Sequence, residues 1–180
     1  MYPFLRSYLG NRRARRMPRL RPFDMHLSRH RIWPFDIDPW LELNNGRTLT
    51  LYDLGRLPLY ERTGLLKAVR DAGMYFTVAG VSVRYRARIV PFSIVDMQSR
   101  IVGYDGRFFY AVQSLWQGEA CANEALIRVA VARRGKGIVP PAEVMALIGH
   151  HGDSPPLPEW VRNWATAEAT RPWPPERVVA

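Results

Sequence analysis

The sequence predicts an α+β fold in which an antiparallel sheet is built with one long helix, and three observations carry that expectation. From Val81 to Ile89 the chain alternates without a fault: Val81, Val83, Tyr85, Ala87 and Ile89 on one face, Ser82, Arg84, Arg86 and Arg88 on the other. That two-residue period is the mark of a half-buried strand. Asp105-Gly106 and Gly118-Glu119 stand where tight turns would join consecutive strands. Leu49, Tyr52 and Leu59 recur at roughly helical spacing between Thr48 and Arg62, ahead of the strands rather than interleaved with them.

Taken in order, Ser28 to Trp33 reads as a short extended run. It leads into Pro34-Phe35-Asp36-Ile37-Asp38-Pro39-Trp40-Leu41-Glu42-Leu43-Asn44-Asn45, which sets two carboxylates and paired amides where a strand runs into a helix. Asn44 or Asn45 can cap that helix. A helix N-terminus offers unpaired N–H groups that stabilise an oxyanion, and a nearby aspartate can act as general base or nucleophile on an acyl group. Turn and capping chemistry alone also favours Asp and Asn at such a place, so both readings stand. Gly55 and Pro58 are poor interior residues, and a kink or break is expected near Gly55. Gly64 is placed to end the helix, with Leu65 to Asp71 adding a turn or two before Gly73. Beyond the Val81 to Ile89 strand and Pro91, Val95, Met97 and Ile101 alternate with Asp96, Gln98 and Arg100. Phe108 to Trp116 and Cys121 to Ala132 supply two more strands, so that three consecutive hairpin-linked strands form a meander. Pro140-Pro141-Ala142-Glu143 opens a short helix through Leu147 or Ile148, with Pro141 near its first turn.

The chain has 180 residues, 47% hydrophobic content and a mean hydropathy of −0.22, the profile of one domain with a substantial core. The expected organisation is a basic N-terminal arm over 1–27, a folded domain over 28–149 and a tail over 150–180 rich in proline and tryptophan. The net charge of +10 is concentrated in the arm, where residues 1–30 hold eight arginines against Asp24 alone. With Tyr2, Phe4, Leu5, Tyr8 and Leu9 as an apolar face, this segment fits a solvated arm or peripheral contact with an anionic membrane. No nucleic-acid motif accompanies the charge, so no nucleic-acid partner is expected. No apolar run approaches the roughly 18 to 20 residues of a membrane span, and no hydrophobic signal core opens the chain. The expected location is the cytoplasm, peripheral to a membrane if the arm binds one. An arginine-rich, acid-poor start also resembles an organelle transit peptide. The lone Cys121 excludes an internal disulfide, and four scattered histidines without a second cysteine argue against structural zinc, so no metal or cofactor is expected. His150-His151 reads as a solvated turn. In the tail, Trp160, Val161 and Trp164 mark a short helix, either docked by its tryptophans or reaching a partner subunit.

The order of short strand, acidic and Asn-rich turn, long helix and antiparallel meander is that of the hotdog fold. Asp36 and Asp38 of an Asp-x-Asp start, Asn44-Asn45, Tyr52-Asp53-Leu54-Gly55-Arg56, Arg62-Thr63-Gly64, Arg84-Tyr85-Arg86 and Gly103-Tyr104-Asp105 resemble the 4-hydroxybenzoyl-CoA thioesterase-like superfamily. Within it the chain is most similar to the branch containing animal thioesterase superfamily member six and its bacterial relatives. The resemblance covers roughly residues 28 to 145. It implies a sheet wrapped around a long central helix, protomers paired as a homodimer or higher homo-oligomer, and sites for acyl-CoA or another acyl thioester between them. It also implies metal-free hydrolysis, with Asp38, the second acid of the motif, activating water or attacking the carbonyl. Asn44 and Asn45 would shape the substrate-binding turn, and a backbone N–H near the central helix would polarise the carbonyl oxygen.

Two positions depart from the pattern of many relatives, which carry Asn and His where this chain has Trp40 and Glu42. Glutamate cannot replace a neutral histidine as a hydrogen-bond donor, although it can serve as a base. Asp38 and Glu42 could therefore form an acid–base pair, or Glu42 could be a solvated or capping side chain. Arg84, Arg86 and Arg88 could meet CoA phosphates or simply face solvent. Neither Cys121 nor Ser114 has a histidine at a recognisable catalytic position. The expected activity is acyl-CoA thioester hydrolysis, and the alternative is a non-catalytic acyl-CoA or lipid-binding protein at a membrane surface.

Overall fold

In the computed structural model, which describes residues 2–178, five long or medium strands form one antiparallel sheet in the order β1-β3-β4-β5-β2. These are β1 His26–Arg31, β2 Met74–Tyr85, β3 Ile94–Tyr104, β4 Phe109–Gln117 and β5 Ala120–Arg133. A short β6, Gly137–Val139, pairs with β5. The meander β3-β4-β5 arises where the two turn signals predicted it. At the first, Asp105 Oδ1 accepts the N–H groups of Arg107 and Phe108, both at 2.7 Å, which is the local side-chain bonding that makes Asp a turn former.

Among the described residues the sheet is accompanied by five α-helices: α1 Phe4–Ala14, α2 Asn45–Thr63, α3 Leu65–Asp71, α4 Pro141–Ala146 and α5 Glu159–Ala169. The central helix α2 lies against the inner face of the curled sheet, where Leu51, Leu54 and Leu59 pack with Val95, Met97, Ile101, Leu115, Ile127 and Val129. It does not break at Gly55. It runs 19 residues, with Pro58 inside it. Gly55 instead permits close approach, because a Cβ there would collide with Met97 Sδ and lie 2.5 Å from Ser99 Oγ, both on β3. Gly64 ends the helix with φ +84°, the left-handed conformation in which glycine carries no steric penalty.

The alternating run beginning at Val81 departs from expectation at both ends. Its strand starts earlier, at Met74, and stops at Tyr85. Residues 86–93 leave the sheet, and Ile89 is buried there instead, its carbonyl accepting the Leu43 N–H at 2.8 Å. The early part was illegible because Ala79 and Gly80 interrupt the period where the β2–β5 register shifts, between Val78 and Gly80.

Both ends of the chain fold onto this body. The arginine-rich start, expected as a solvated arm, forms α1, which packs on α2 through small residues: Ser7 and Ala14 are buried, and Gly10 lies over Leu54 and Pro58. The tail is docked through α5 on the outer face of the sheet, with Val161 fully buried among Val102, Tyr110 and Leu126. Trp164 and Phe108 enclose Arg128, whose guanidinium carbon lies 5.2 Å and 4.8 Å from the two rings.

Candidate active site

The two carboxylates of the Asp-x-Asp motif receive different environments from one tight turn. Asp36 is fully buried. Its Oδ2 accepts from Arg6 Nη1 at 2.9 Å and from the Trp33 N–H at 3.1 Å, while its Oδ1 accepts from Arg47 Nη2 at 2.6 Å and Nε at 3.1 Å. These contacts join α1, the end of β1 and the first turn of α2. Such a saturated, doubly countered carboxylate is an anchor.

Asp38 is half-buried and only partly committed. Residues 38–42 form a loop closed by the Ile37–Leu43 bridge and by a hydrogen bond from the Asp38 N–H to the Glu42 carbonyl at 2.9 Å. Leu41 adopts φ 60° within it. Asp38 Oδ1 accepts from the Trp40 N–H at 2.9 Å and more distantly from the Glu42 N–H at 3.4 Å. Oδ2 makes no hydrogen bond among the described residues, so one oxygen fixes the carboxylate while the other is available.

Glu42, the expected acid–base partner of Asp38, is tied to another group. Its Oε2 accepts from Arg88 Nε at 2.7 Å, and Arg88 also donates to the Trp40 carbonyl. Arg88 thereby clamps the loop. Its two companions in the sequence alternation, Arg84 and Arg86, are exposed.

The paired amides divide their roles. Asn44 caps α2, its Oδ1 accepting the N–H groups of Gly46 at 2.9 Å and Arg47 at 3.1 Å. Its carbonyl takes the Thr48 N–H at 2.9 Å. Among the first four amides of the helix, these bonds leave only the Asn45 N–H without an acceptor among the described residues. Asn45 and Glu42 line one groove of about 220 Å³, with Thr48, Tyr85, Arg88 and Asn123. Asp38 and Asn44 lie outside its lining.

Beneath α2 sits a polar layer that sequence inspection did not single out as a unit. Gln113 Nε2 donates to the Tyr52 carbonyl at 2.9 Å and to Ser99 Oγ at 2.7 Å, and Gln113 Oε1 accepts from Arg56 Nη1 at 3.0 Å. Arg56 also pairs with Asp53. Tyr52 Oη donates to Asn123 Oδ1 at 2.5 Å, and burial raises its pKa far above the ordinary phenol value. The Tyr52-Asp53-Leu54-Gly55-Arg56 motif carries the helical half of this layer; Gln113 and Asn123 come from strands with no local signal. Ser114 receives the Trp116 indole N–H at 2.7 Å, and burial raises the Cys121 thiol pKa, which keeps it protonated rather than nucleophilic. Among the described residues, no group of three His, Cys, Asp or Glu side chains is arranged to hold a metal ion.

The sequence profile of the thioesterase-like superfamily matches residues 32–165. Protein THEM6 of Xenopus laevis is 27% identical over 134 residues, covering 74% of this chain and 63% of that protein. The chain thus spans less than two-thirds of that relative's length. Among solved structures, a probable thioesterase of Escherichia coli, YbaW, aligns with a TM-score of 0.63 at 15% identity, covering 68% of this chain and 96% of its own. A putative oleoyl thioesterase of Lactobacillus plantarum aligns with a TM-score of 0.66 at 14% identity, over 76% of this chain and 55% of its own. The helix wrapped in a curled antiparallel sheet is the hotdog fold these structures share. With its family profile spanning the turn, the central helix and the sheet from β2 to β6, this chain belongs to the thioesterase-like superfamily.

Proposed function

We propose that the protein is an acyl-CoA thioesterase in which Asp38 is the base or nucleophile. The observation that carries the activity is the family match over residues 32–165. The division of labour at the turn supports the residue assignment: among the described residues, one Asp38 oxygen is anchored and the other is uncommitted, and the Asn45 N–H is left without an acceptor at the helix start. In the hydrolytic route, Asp38 takes a proton from water as the water oxygen bonds to the thioester carbonyl carbon. The developing oxyanion accepts the Asn45 N–H, and collapse breaks the C–S bond. The thiolate is protonated as CoA thiol and the acyl group leaves as a carboxylic acid.

The alternative, an acyl-CoA or lipid-binding protein without turnover, draws support from the Glu42–Arg88 ion pair. That pair occupies the side chain standing where many relatives place histidine. Thiol release from short, long and aromatic acyl-CoAs separates the two. Hydrolysis that falls about 10²-fold or more in Asp38→Ala establishes the enzyme. Saturable acyl-CoA binding without thiol release establishes the binding protein.

Homodimerisation through β2 and contact of α1 with an anionic membrane on the cytoplasmic side belong to the same proposal. For the membrane, the support is that α1 buries its small residues and exposes Phe4, Leu5, Tyr8 and Leu9 beside Arg12, Arg13 and Arg16. This pattern suits an anionic lipid surface. Binding to phosphatidylserine vesicles should weaken with salt and be lost in Leu5→Glu/Tyr8→Glu.

A further inference from the structure

A groove of about 830 Å³ runs between α1 and β1, a volume within the roughly 300 to 1,000 Å³ of ligand pockets. One wall is a helix face, with Arg6, Leu9, Gly10 and Arg13 three or four residues apart. The other is a strand edge. Both faces of β1 line the opening, His26, Ser28 and His30 on one and Leu27, Arg29 and Arg31 on the other, so the open volume surrounds the margin of the strand.

β1 ends the sheet order opposite β2. Alternate residues of an antiparallel strand turn their N–H and C=O groups toward the neighbouring strand. The Ile32 N–H reaches the Ser93 carbonyl at 2.9 Å, which sets the backbone groups of His26, Ser28 and His30 toward β3. Those of Leu27, Arg29 and Arg31 point the other way, and the Arg31 carbonyl is accordingly taken by Arg6 Nη2 of α1 at 3.0 Å. The N–H and C=O groups of Leu27 and Arg29 have no hydrogen-bond partner among the described residues.

Charge decides what can use them. Four arginines line the groove against Asp96 alone. Arg6 is matched by Asp36 and Arg29 by Asp96, whereas Arg13 and Arg31 have no acidic partner among the described residues. Two copies pairing through β1 would bring their arginines together, and like charges on facing strands destabilise the pair. Residues 170–178 of the chain suit the groove no better, since they carry Arg171 and Arg177 against Glu176, and three prolines that cannot donate to a ladder.

We propose that this groove binds an acidic, extended segment of a partner protein, which adds to the sheet beside β1. Its backbone pairs with Leu27 and Arg29, its carboxylates meet Arg13 and Arg31, and its alternate apolar side chains lie over Leu9, Leu54 and Pro58. Strand addition of this kind takes affinity from the main chain and specificity from the side chains. The site is separate from the turn at residues 38–45, and its test reads binding, not turnover, so it stands or falls independently of thioester hydrolysis.

The full-length protein is titrated with a fluorescein-labelled heptapeptide alternating valine with glutamate, followed by fluorescence anisotropy, beside the same peptide with lysine for glutamate. The acidic peptide should bind saturably and more weakly as salt is raised, and the lysine peptide should not bind. Leu27→Pro removes one outward N–H without touching the β1–β3 ladder, a change that edge strands tolerate, and should weaken binding about tenfold. Arg13→Glu, at an exposed position, should weaken it about tenfold or more and keeps the test decisive if Leu27→Pro fails to fold. Leu5→Glu/Tyr8→Glu, on α1 but outside the groove lining, should bind as the wild type does. Absence of saturable binding, equal binding of the lysine peptide or unchanged affinity in Arg13→Glu overturns the site. Unchanged affinity in Leu27→Pro overturns strand addition, and loss of binding in Leu5→Glu/Tyr8→Glu moves the ligand to the exposed face of α1.

Discussion

Asp36 and Asp38 share one short motif, yet their surroundings predict opposite consequences for substitution. Removing the Asp36 carboxylate takes the shared countercharge from Arg6 and Arg47, which are themselves only 21% and 16% exposed. Asp36→Ala should cost about 3 kcal/mol of stability by urea denaturation, whether or not the substrate site is intact. Asp38→Ala loses one firm turn hydrogen bond and should cost about 1 kcal/mol, while thiol release falls about 10²-fold or more. Equal stability losses in the two variants would contradict this division. The motif was legible in the sequence, but the anchoring role of Asp36 was not, because its two arginines arrive from separate helices, Arg6 from α1 and Arg47 from the start of α2. The histidines of β1 act on stability in a different way. Burial is the first cause holding His26 and His30 neutral, each with a pKa lowered to about 4 from an ordinary 6.5; Arg62 adds to it at His26, and Arg6 at His30. The unfolded chain therefore binds more protons between those values, and stability is complete above pH 6.5 and falls as the pH drops through 4. For His26 alone the full loss is about 3 kcal/mol. Denaturation at pH 7.5, 5.5 and 4.5 should show this decline, and His26→Gln should flatten it even if the variant is less stable at every pH.

At the scale of elements, the central helix shows why a propensity argument failed at Gly55. In an exposed helix, Gly→Ala stabilises by about 1 kcal/mol. Here the added methyl would collide with Met97 Sδ and Ser99 Oγ, both in a fully buried layer where Ser99 already serves Gln113. Overpacking should win, and Gly55→Ala should lower stability by about 1 to 3 kcal/mol in thermal or urea unfolding. A stabilised Gly55→Ala would mean that helix and sheet are less closely seated than these contacts require. The helix's start and stop were readable, because Asn44 and Gly64 act through local backbone chemistry. Its continuity through Gly55 was not, since the cause is packing against β3, a strand far along the chain. The same holds for β2: hydrophobic alternation located its second half, but the register shift that lengthens it toward Met74 depends on pairing with β5.

At the scale of the whole molecule, the sheet's inner face extends beyond what α2 covers. The register places Val78 opposite Val129 and Val81 opposite Ile127, both partners being buried core residues. The shift between Val78 and Gly80 keeps these two valines on that common face. Yet Val78 is 48% exposed and Val81 37%, with Tyr85 and Tyr75 also open along the same strand. β2 ends the sheet order, so its outward backbone edge has no neighbouring strand among the described residues. An apolar face next to an uncovered edge is the arrangement that proteins ordinarily blunt with charge or cover with another surface. α1 packs on α2, and α5 lies on the outer sheet face, where Trp164 reaches Gly80 of β2; Val78 and Val81, on the other face, stay exposed. A second copy of the chain, bringing the same strand by twofold symmetry, would meet both needs with one self-complementary contact. Sedimentation velocity should therefore give a dimer mass for the wild type and a monomer mass for Val78→Lys/Val81→Lys. Partial exposure of both positions means that the lysines can be solvated in the folded monomer, and its circular dichroism should be unchanged. A monomeric wild type, or a double variant that keeps the dimer mass, would remove β2 as the pairing surface.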